Sequence, residues 1–306
     1  MKYTIEPIIN QYFSCHQILL ATYASYLKRE YYMIFAESWG FKYKKDDCPF
    51  GMSLYPGYQK RRKLLLEKFH GITIKNEKYT EKENLIKLIH SILPGSPILL
   101  FCDVFDCPWN ISYKRNHINH YILITGIDDV ENLYVLDPYS TEDENIISVD
   151  SIAPDDGFIN YFITLPLDNI QVEDYRSEIS ISLQHLKNNS FFQNLERFRN
   201  VLQIRFEEVI QSEYTDIYAI PLIINLRRIA HQRNCYCIFL NKMVEKNIVD
   251  SSMVRIMENI AEKYSRLRIL LIRQIMKKKN NKECFSIINE ILDNEYEAYE
   301  KMKSFI

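Results

Sequence analysis

Residues 120–138 read HYILITGIDDVENLYVLDP. Two apolar runs, Tyr121–Thr125 and Leu133–Leu136, flank a polar link from Gly126 to Glu131. Short runs rich in Ile, Val, Leu and Tyr, separated by a Gly- and Asp-containing link, read as strands joined in an antiparallel hairpin. The pattern predicts strands over 120–125 and 132–136. His120 opens the first strand and Asp137, followed by Pro138, closes the second. Pairing the strands therefore brings an imidazole and a carboxylate to one end of the sheet.

More strand and helix signals lie around this hairpin. Residues 97–102 (PILLFC) and 158–164 (FINYFIT) read as strands, and Ile72–Lys75 as a shorter one. Glu81–Leu93 reads as a helix stopped by Pro94 and Gly95. Near the N-terminus, Ser14 is placed to cap a helix from about Cys15 to Lys28, with Ile18, Leu19, Thr22 and Tyr26 near one face. A leading helix followed by an antiparallel sheet is an α+β arrangement.

The chain changes character near residue 170. Every glycine lies at or before Gly157, and Pro221 is the one proline beyond Pro166. Apolar stripes then recur at helical spacing. One runs through Met253, Met257, Ile260, Tyr264, Leu267 and Leu271, a second through Leu195, Phe198, Leu202, Phe206 and Val209, and a third through Phe285, Ile288, Ile291 and Leu292. Pro221 opens a fourth helix running to about Val244. Charge divides along the same line, net −7 over 1–175 and net +5 over 176–306. The expected organisation is an α+β domain over 1–170 and a helical bundle over 171–306, joined near Asp168–Glu178.

With 306 residues, 47% hydrophobic and 25% charged, the chain has the composition of an ordinary globular protein. A net charge of −2 gives no overall basic field, so nucleic acid is not an expected partner. No GxGxxG or GxxxxGK[ST] motif is present, which disfavours glycine-loop nucleotide binding. No apolar run reaches the roughly 18 residues of a membrane span, and the N-terminus lacks a signal-peptide pattern, so no membrane is expected. The odd set of seven cysteines (15, 48, 102, 107, 235, 237 and 284) reads as free thiols in a reducing, cytoplasmic setting.

Among these cysteines, Cys15 stands at a helix start. Free N–H groups and the positive end of the helix dipole there favour a thiolate, and an ordinary thiol, with a pKa of about 8.5, needs such help and a base. His120 is the candidate base and Asp137 the residue that orients it, a nucleophilic triad in thiol form. The competing reading treats Cys15 as one more small buried hydrophobe. His16 is a weaker candidate base, because its place beside the nucleophile directs it elsewhere. Cys102 and Cys107 read as structural thiols. His117, His120, Asp128 and Asp129 lack the second ligand pair of a zinc site, so no metal is expected. Cys235 and Cys237, two apart on a helix, diverge by about 200° and form no chelate. Lys277–Lys282 reads as a solvated basic loop.

These segments resemble a known group. Cys15 opening a helix, then HYILITG at 120–126 and YVLDPY at 134–139, resemble the papain-like superfamily, especially its bacteriocin-leader-peptidase-like branch. More closely, Ser14–Gln17, Leu99–Trp109 and Tyr113–His120 are similar to the N-terminal domain family of butirosin biosynthesis protein H, to which the papain-like closthioamide-type amide synthases are related. The resemblance spans roughly 8–165. It implies an amide-forming acyltransferase that takes an acyl chain from the phosphopantetheine thioester of an acyl or peptidyl carrier protein, holds it on Cys15, and delivers it to a small amine. No bound cofactor is implied.

Papain-like enzymes place an oxyanion-binding Gln about six residues before the nucleophile, where this chain has Ile9. Gln11 is the expected substitute, with the Cys15 backbone N–H as the other donor. Trp109, Tyr113, Tyr121 and Tyr139 either line a substrate pocket or simply pack in the core. A cysteine peptidase or amidase using the same residues, and a non-catalytic binding module, are the alternatives. The positive helical part either attracts an acidic carrier protein or is only a solvated surface.

Overall fold

The computed structural model describes residues 2–306 except 45–48, 58, 155, 167, 169, 171–173, 212–215 and 280–282. Cys48, the end of the basic run at 280–282, and much of the expected junction near 170 lie outside the described residues. The chain forms two compact units, one of residues 1–34 with 63–173, the other of 35–62 with 174–306. Residues 35–62, whose Gly- and Pro-containing sequence matches the first part of the chain, thus group with the helical second unit.

The first unit is α+β. Its elements are α1 (Cys15–Tyr26), α2 (Arg62–His70, continuing from the other unit), β1 (Ile72–Tyr79), α3 (Lys82–Ile92), β2 (Ile98–Asp103), β3 (Asn119–Ile127), β4 (Asn132–Leu136), β5 (Glu144–Ser148), α4 (Val149–Ile152) and β6 (Gly157–Thr164). The strands form one six-stranded sheet in the order β1-β6-β2-β3-β4-β5, with antiparallel neighbours throughout. The hairpin read at 120–136 is β3–β4, with a register shift between Ile124 and Gly126. Asp128 holds its turn, its carboxylate accepting from the Val130 and Asn132 backbone N–H groups and from the Asn132 side chain. Asp128 is therefore a turn residue rather than a ligand.

Two elements differ from their sequence signals for physical reasons. β1 continues to Tyr79, past the apolar Ile72–Ile74, because its polar half pairs along β6 as far as Gly157. α1 stops at Tyr26. Lys28 takes a left-handed conformation (φ 55°), and the N–H groups of Lys28 and Arg29 bond the Ser25 and Ala24 carbonyls. This is a Schellman stop with lysine in place of the usual glycine.

Alternation along the strands builds the core. Ile98, Leu100, Ile122, Ile124, Leu133, Val135 and Ile159 form a buried cluster with Leu85 and Ile89 of α3. α1 is buried continuously from Gln17 to Ala24 and packs against β3, and its Tyr23 ring stacks on Phe162 of β6. A helix apolar on nearly all sides is a helix enclosed by its neighbours. It gives the residue at its start a rigid mount.

The second unit contains α5 (Tyr175–Asn188), α6 (Phe191–Gln211), α7 (Pro221–Glu245), α8 (Ser251–Lys277) and α9 (Glu283–Lys303). The stripes read from the sequence are its core, with Met253, Met257, Ile260, Tyr264, Leu267 and Leu271 of α8 all buried. Within that core sits a fully buried ion pair. Arg233 of α7 donates through Nε and Nη2 to Glu295 Oε1 of α9, at 3.0 and 2.9 Å. Its Nη1 reaches the Ser38 and Gly40 carbonyls, and Trp39 Nε1 donates to Glu295 Oε2 at 2.6 Å. The 38–40 segment is thereby fastened to the bundle. Gly40 is required there by close approach, since a Cβ would lie 2.2 Å from the Pro56 carbonyl oxygen. Among the described residues, no helix is long and apolar enough to cross a membrane.

Candidate active site

Cys15 is the first residue of α1. Ser14 caps the helix, its hydroxyl accepting from the Gln17 N–H while the Gln17 side chain accepts from the Ser14 N–H. This reciprocal capping box fixes the chain's entry into the helix and so the direction of the Cys15 side chain. Gln17 is fully buried, so its amide serves the cap. The first-turn N–H groups around Cys15 remain at the positive end of the helix.

His120 and Asp137 are brought together as the hairpin requires. His120 Nε2 lies 2.9 Å from Asp137 Oδ2, and both side chains are almost fully buried. The contact is an ion pair set off the ideal hydrogen-bond line. The imidazole also lies next to the Cys15 thiol, close enough for the two groups to interact electrostatically. With Nε2 committed to Asp137, Nδ1 is the nitrogen left for the sulfur. Trp109 completes the carboxylate's surroundings, its indole Nε1 donating to Oδ2 at 2.8 Å. The Ser140 hydroxyl lies beside the same carboxylate without a hydrogen bond of good geometry to Oδ1, and it accepts from Asn110 Nδ2 at 2.7 Å.

The electrostatics follow from these contacts. Burial alone would strip the proton from His120, but its interactions with Asp137 and Cys15 outweigh burial and raise its pKa to about 10. Asp137 is held below the usual carboxylate range: burial opposes this, and His120, Ser140 and Trp109 prevail. The arrangement can hold a proton on the imidazole across neutral pH, next to a sulfur at a helix start. A thiol, an imidazole and a carboxylate in that order is an arrangement suited to nucleophilic chemistry.

The structure assigns the aromatic residues different positions. Tyr121 is half-buried near Cys15, its ring 5.1 Å from that of His16 and 5.3 Å from that of Phe101. Burial and the nearby Cys15 both raise its phenol pKa. Tyr139 is exposed, its ring 5.9 Å from that of His120. Tyr113 is exposed in the 111–115 turn, beside Lys114. Trp109 commits its polar atom to Asp137, a role the sequence reading missed. The spacing of Trp109 from the hairpin carries no periodic signal that could have revealed it.

The remaining candidates fall as follows. Gln11 is exposed in the turn before α1, and its side chain makes no hydrogen bond among the described residues. His16 faces Tyr121. Cys102 pairs opposite His120 in the β2–β3 register, and Cys107 Sγ donates to the Asp103 carbonyl at 3.6 Å; both thiols are buried. His117 Nδ1 contacts Asp103 Oδ2 at 2.8 Å and its ring stacks on Phe105. Cys235 and Cys237 are buried in α7, and burial pushes both thiols up, that of Cys237 to about 12. Among the described residues, no group of His, Cys, Asp and Glu is arranged to hold a metal.

A family model, that of the Peptidase_C39 like family, matches residues 53–162. The match takes in β1 to β5 and most of β6, with His120 and Asp137, and begins after Cys15. It supports a papain-like, cysteine-peptidase-related fold for the α+β unit. No curated protein matches the chain.

Proposed function

We propose that the chain is an amide-forming acyltransferase that works through an acyl-enzyme on Cys15. The observation that carries the proposal is one set of neighbours: a cysteine at a helix start, next to an imidazole that is ion-paired with a buried carboxylate. Carrier-protein donors and a small primary amine acceptor are proposed on the resemblance of Ser14–Gln17, Leu99–Trp109 and Tyr113–His120 to the butirosin biosynthesis protein H family, to which the closthioamide-type amide synthases are related.

In the first half-reaction the proton shared by the Cys15–His120 pair rests on the imidazole, and the sulfur attacks the thioester carbonyl. The phosphopantetheine sulfur leaves and takes that proton from the imidazolium. In the second, the amine attacks the acyl-cysteine carbonyl, His120 accepts the ammonium proton, and the Cys15 sulfur departs. The carbonyl oxygen, negative in each tetrahedral intermediate, is placed toward the free N–H groups at the start of α1, with Gln11 proposed as a side-chain donor once substrate orders it. Asp137 keeps the imidazole in one orientation throughout.

The proposal is tested by intact-mass analysis after mixing the protein with acylated carrier protein and then a small diamine. An acyl adduct that forms on the chain, disappears in Cys15→Ala, and is discharged as amide faster than as free acid supports it. A second reading, a cysteine peptidase or amidase, is favoured by the Peptidase_C39 like match. Peptide cleavage dependent on Cys15, with no adduct from the thioester donor, would establish that reading instead.

A further inference from the structure

Two adjacent residues of one loop reach the turn that carries Asp137. Trp109 donates its indole N–H to Asp137 Oδ2 at 2.8 Å, and Asn110 donates through Nδ2 to the Ser140 hydroxyl at 2.7 Å. The turn itself reads Asp137-Pro138-Tyr139-Ser140. The N–H groups of Ser140 and Thr141 donate to the Asp137 carbonyl at 2.9 and 3.0 Å. Proline in the second position presets such a turn. The local backbone thus holds Asp137 and Ser140 at a fixed spacing, and the loop grips both.

The direction of each donor follows from the bonds around it. Asn110 Oδ1 accepts from the Ser112 N–H at 2.9 Å. The group facing Ser140 is therefore the amide nitrogen, which can only donate. The Ser140 oxygen accepts, and its one proton remains to be given. The hydroxyl lies beside the Asp137 carboxylate. Of that carboxylate, Oδ2 is taken by Trp109 and His120, while Oδ1 is buried without a hydrogen bond. Asp137 is 1% exposed, so bulk water does not serve Oδ1. A buried carboxylate oxygen with no donor is costly, and a donor within reach relieves that cost. A hydroxyl that has accepted one bond is also polarised toward giving its own proton.

We infer that Asn110 and Ser140 are positioning residues for Asp137: Asn110 aims the Ser140 hydroxyl, which turns to donate to Oδ1 and keeps Oδ2 facing His120. The hydroxyl keeps its proton throughout, and neither residue touches the reacting atoms. Their effect passes through the carboxylate. Held at one oxygen, a carboxylate can swing about its Cβ–Cγ bond; held at both, it keeps one orientation and so fixes the imidazole beside it. The inference rests on the reading of Cys15, His120 and Asp137 as the reacting set, and not on the nature of the acyl donor.

The test follows alkylation of Cys15 by iodoacetamide in the full chain, read by peptide mass mapping across acid and neutral pH, and it needs no acyl donor. Protonating Asp137 removes the counter-charge of the imidazolium, so the titration of Asp137 shapes the acid limb of the profile. Ser140→Val should slow alkylation at neutral pH by about ten-fold. It should also carry the acid limb to higher pH by about one pH unit, because Asp137 loses a donor that favours its charged form. Ser140→Thr, which has the shape of valine and keeps the hydroxyl, should follow the parent. Asn110→Ala should move the limb the same way by less, and should add nothing in the Ser140→Val background. A packing role would make the threonine and valine variants alike and lower Tm without moving the limb. An acid limb unmoved in Ser140→Val, or moved equally in Ser140→Thr, would overturn the inference. If Ser140→Val does not fold, Ser140→Ala against Ser140→Thr decides. A parent whose Cys15 labels no faster than its other thiols overturns the reacting set and this inference together, whereas fast labelling in the parent with unmoved variants overturns this inference alone.

Discussion

Each of the chain's two tryptophans donates its indole N–H to a buried carboxylate, and the two carboxylates have opposite fates. In the helical unit Glu295 receives Trp39, both reachable faces of Arg233, and the Tyr264 hydroxyl at 3.4 Å. Its partner is a guanidinium, which does not lose its charge at any ordinary pH. In the α+β unit Asp137 receives Trp109 but is paired with an imidazole, leaves Oδ1 without a hydrogen bond, and stands one contact from a thiol. The first cluster is saturated and built around a guanidinium that keeps its charge, and so can only hold the fold. The second is under-satisfied and can change protonation, and it is the one next to the Cys15 thiol. Burial and a Trp–carboxylate bond are common to both, so neither identifies a reactive site. What separates them is whether the counter-charge can titrate and whether lone pairs are left over.

Substitutions should break this likeness apart. His120→Ala should reduce acylation of Cys15 by about 10⁴-fold or more, on the precedent of triad members that act as a unit, while the protein still folds; rapid-quench intact mass reads the rate and circular dichroism the fold. Glu295→Ala should do the reverse. Stranding a buried guanidinium costs about 3–5 kcal/mol, so denaturant melts should show a large loss of stability. A His120→Ala variant that unfolds, or a Glu295→Ala variant as stable as the parent, would show that the two clusters have been assigned the wrong way round.

How far the sequence disclosed these clusters depends on the range of the signal. The β3–β4 hairpin was legible because strand alternation and a Gly-Asp link are local, and they carried His120 and Asp137 to one end without any structure. Cys15 was legible through Ser14, a local cap, and the buried stripe of α8 through its spacing. Trp109 on Asp137 was not, because the bond crosses 28 residues with no repeating pattern. The Arg233–Glu295 pair was hidden for the same reason: its members look like ordinary charged positions on helices predicted to have solvated faces. Residues 35–62 carry glycine and proline like the strands around them, so composition assigned them to the first part of the chain, whereas contacts such as Asn225 Nδ2 to the Gly51 carbonyl place them with the helices. Lys28 ended α1 where no glycine announced a stop.

Titration offers a gentler separation. The His120 pKa, raised to about 10, lies above its unfolded value near 6.5. The imidazolium therefore stabilises the fold fully below about pH 6.5, and that contribution is lost as pH rises through 10. Asp137 has the opposite sign: its lowered pKa contributes stability above the ordinary carboxylate value, lost as pH falls through the depressed one. Thermal melts of the parent between pH 7 and 10.5 should decline more steeply than those of His120→Ala, and the acylation rate should fall over the same alkaline range. Glu295→Gln, which takes a carboxylate from a guanidinium that keeps its charge, should shift the whole curve downward without changing its steepness. Parallel curves for parent and His120→Ala would mean that His120 carries no excess proton in the folded state.

The finest separation comes from the tryptophans themselves, each changed to phenylalanine so that the ring stays and the N–H goes. Losing one donor to a buried carboxylate costs about 1–3 kcal/mol. At Trp39 that loss should appear wholly as stability, because Glu295 is still held by Arg233 and has no other duty. At Trp109 it should be divided. With the indole gone, Asp137 is less well held as an anion, its ion pair with His120 is the contact that remains, and the histidine pKa should move. Trp109→Phe should therefore shift the alkaline limb of the acylation profile and slow the reaction by about ten-fold, the equivalent of ~1.4 kcal/mol. Trp39→Phe should leave both unchanged despite a comparable fall in Tm. A pH profile of acylation, run beside the melts, distinguishes a residue that positions the reacting groups from one that only packs, since packing alone lowers Tm without moving the limb.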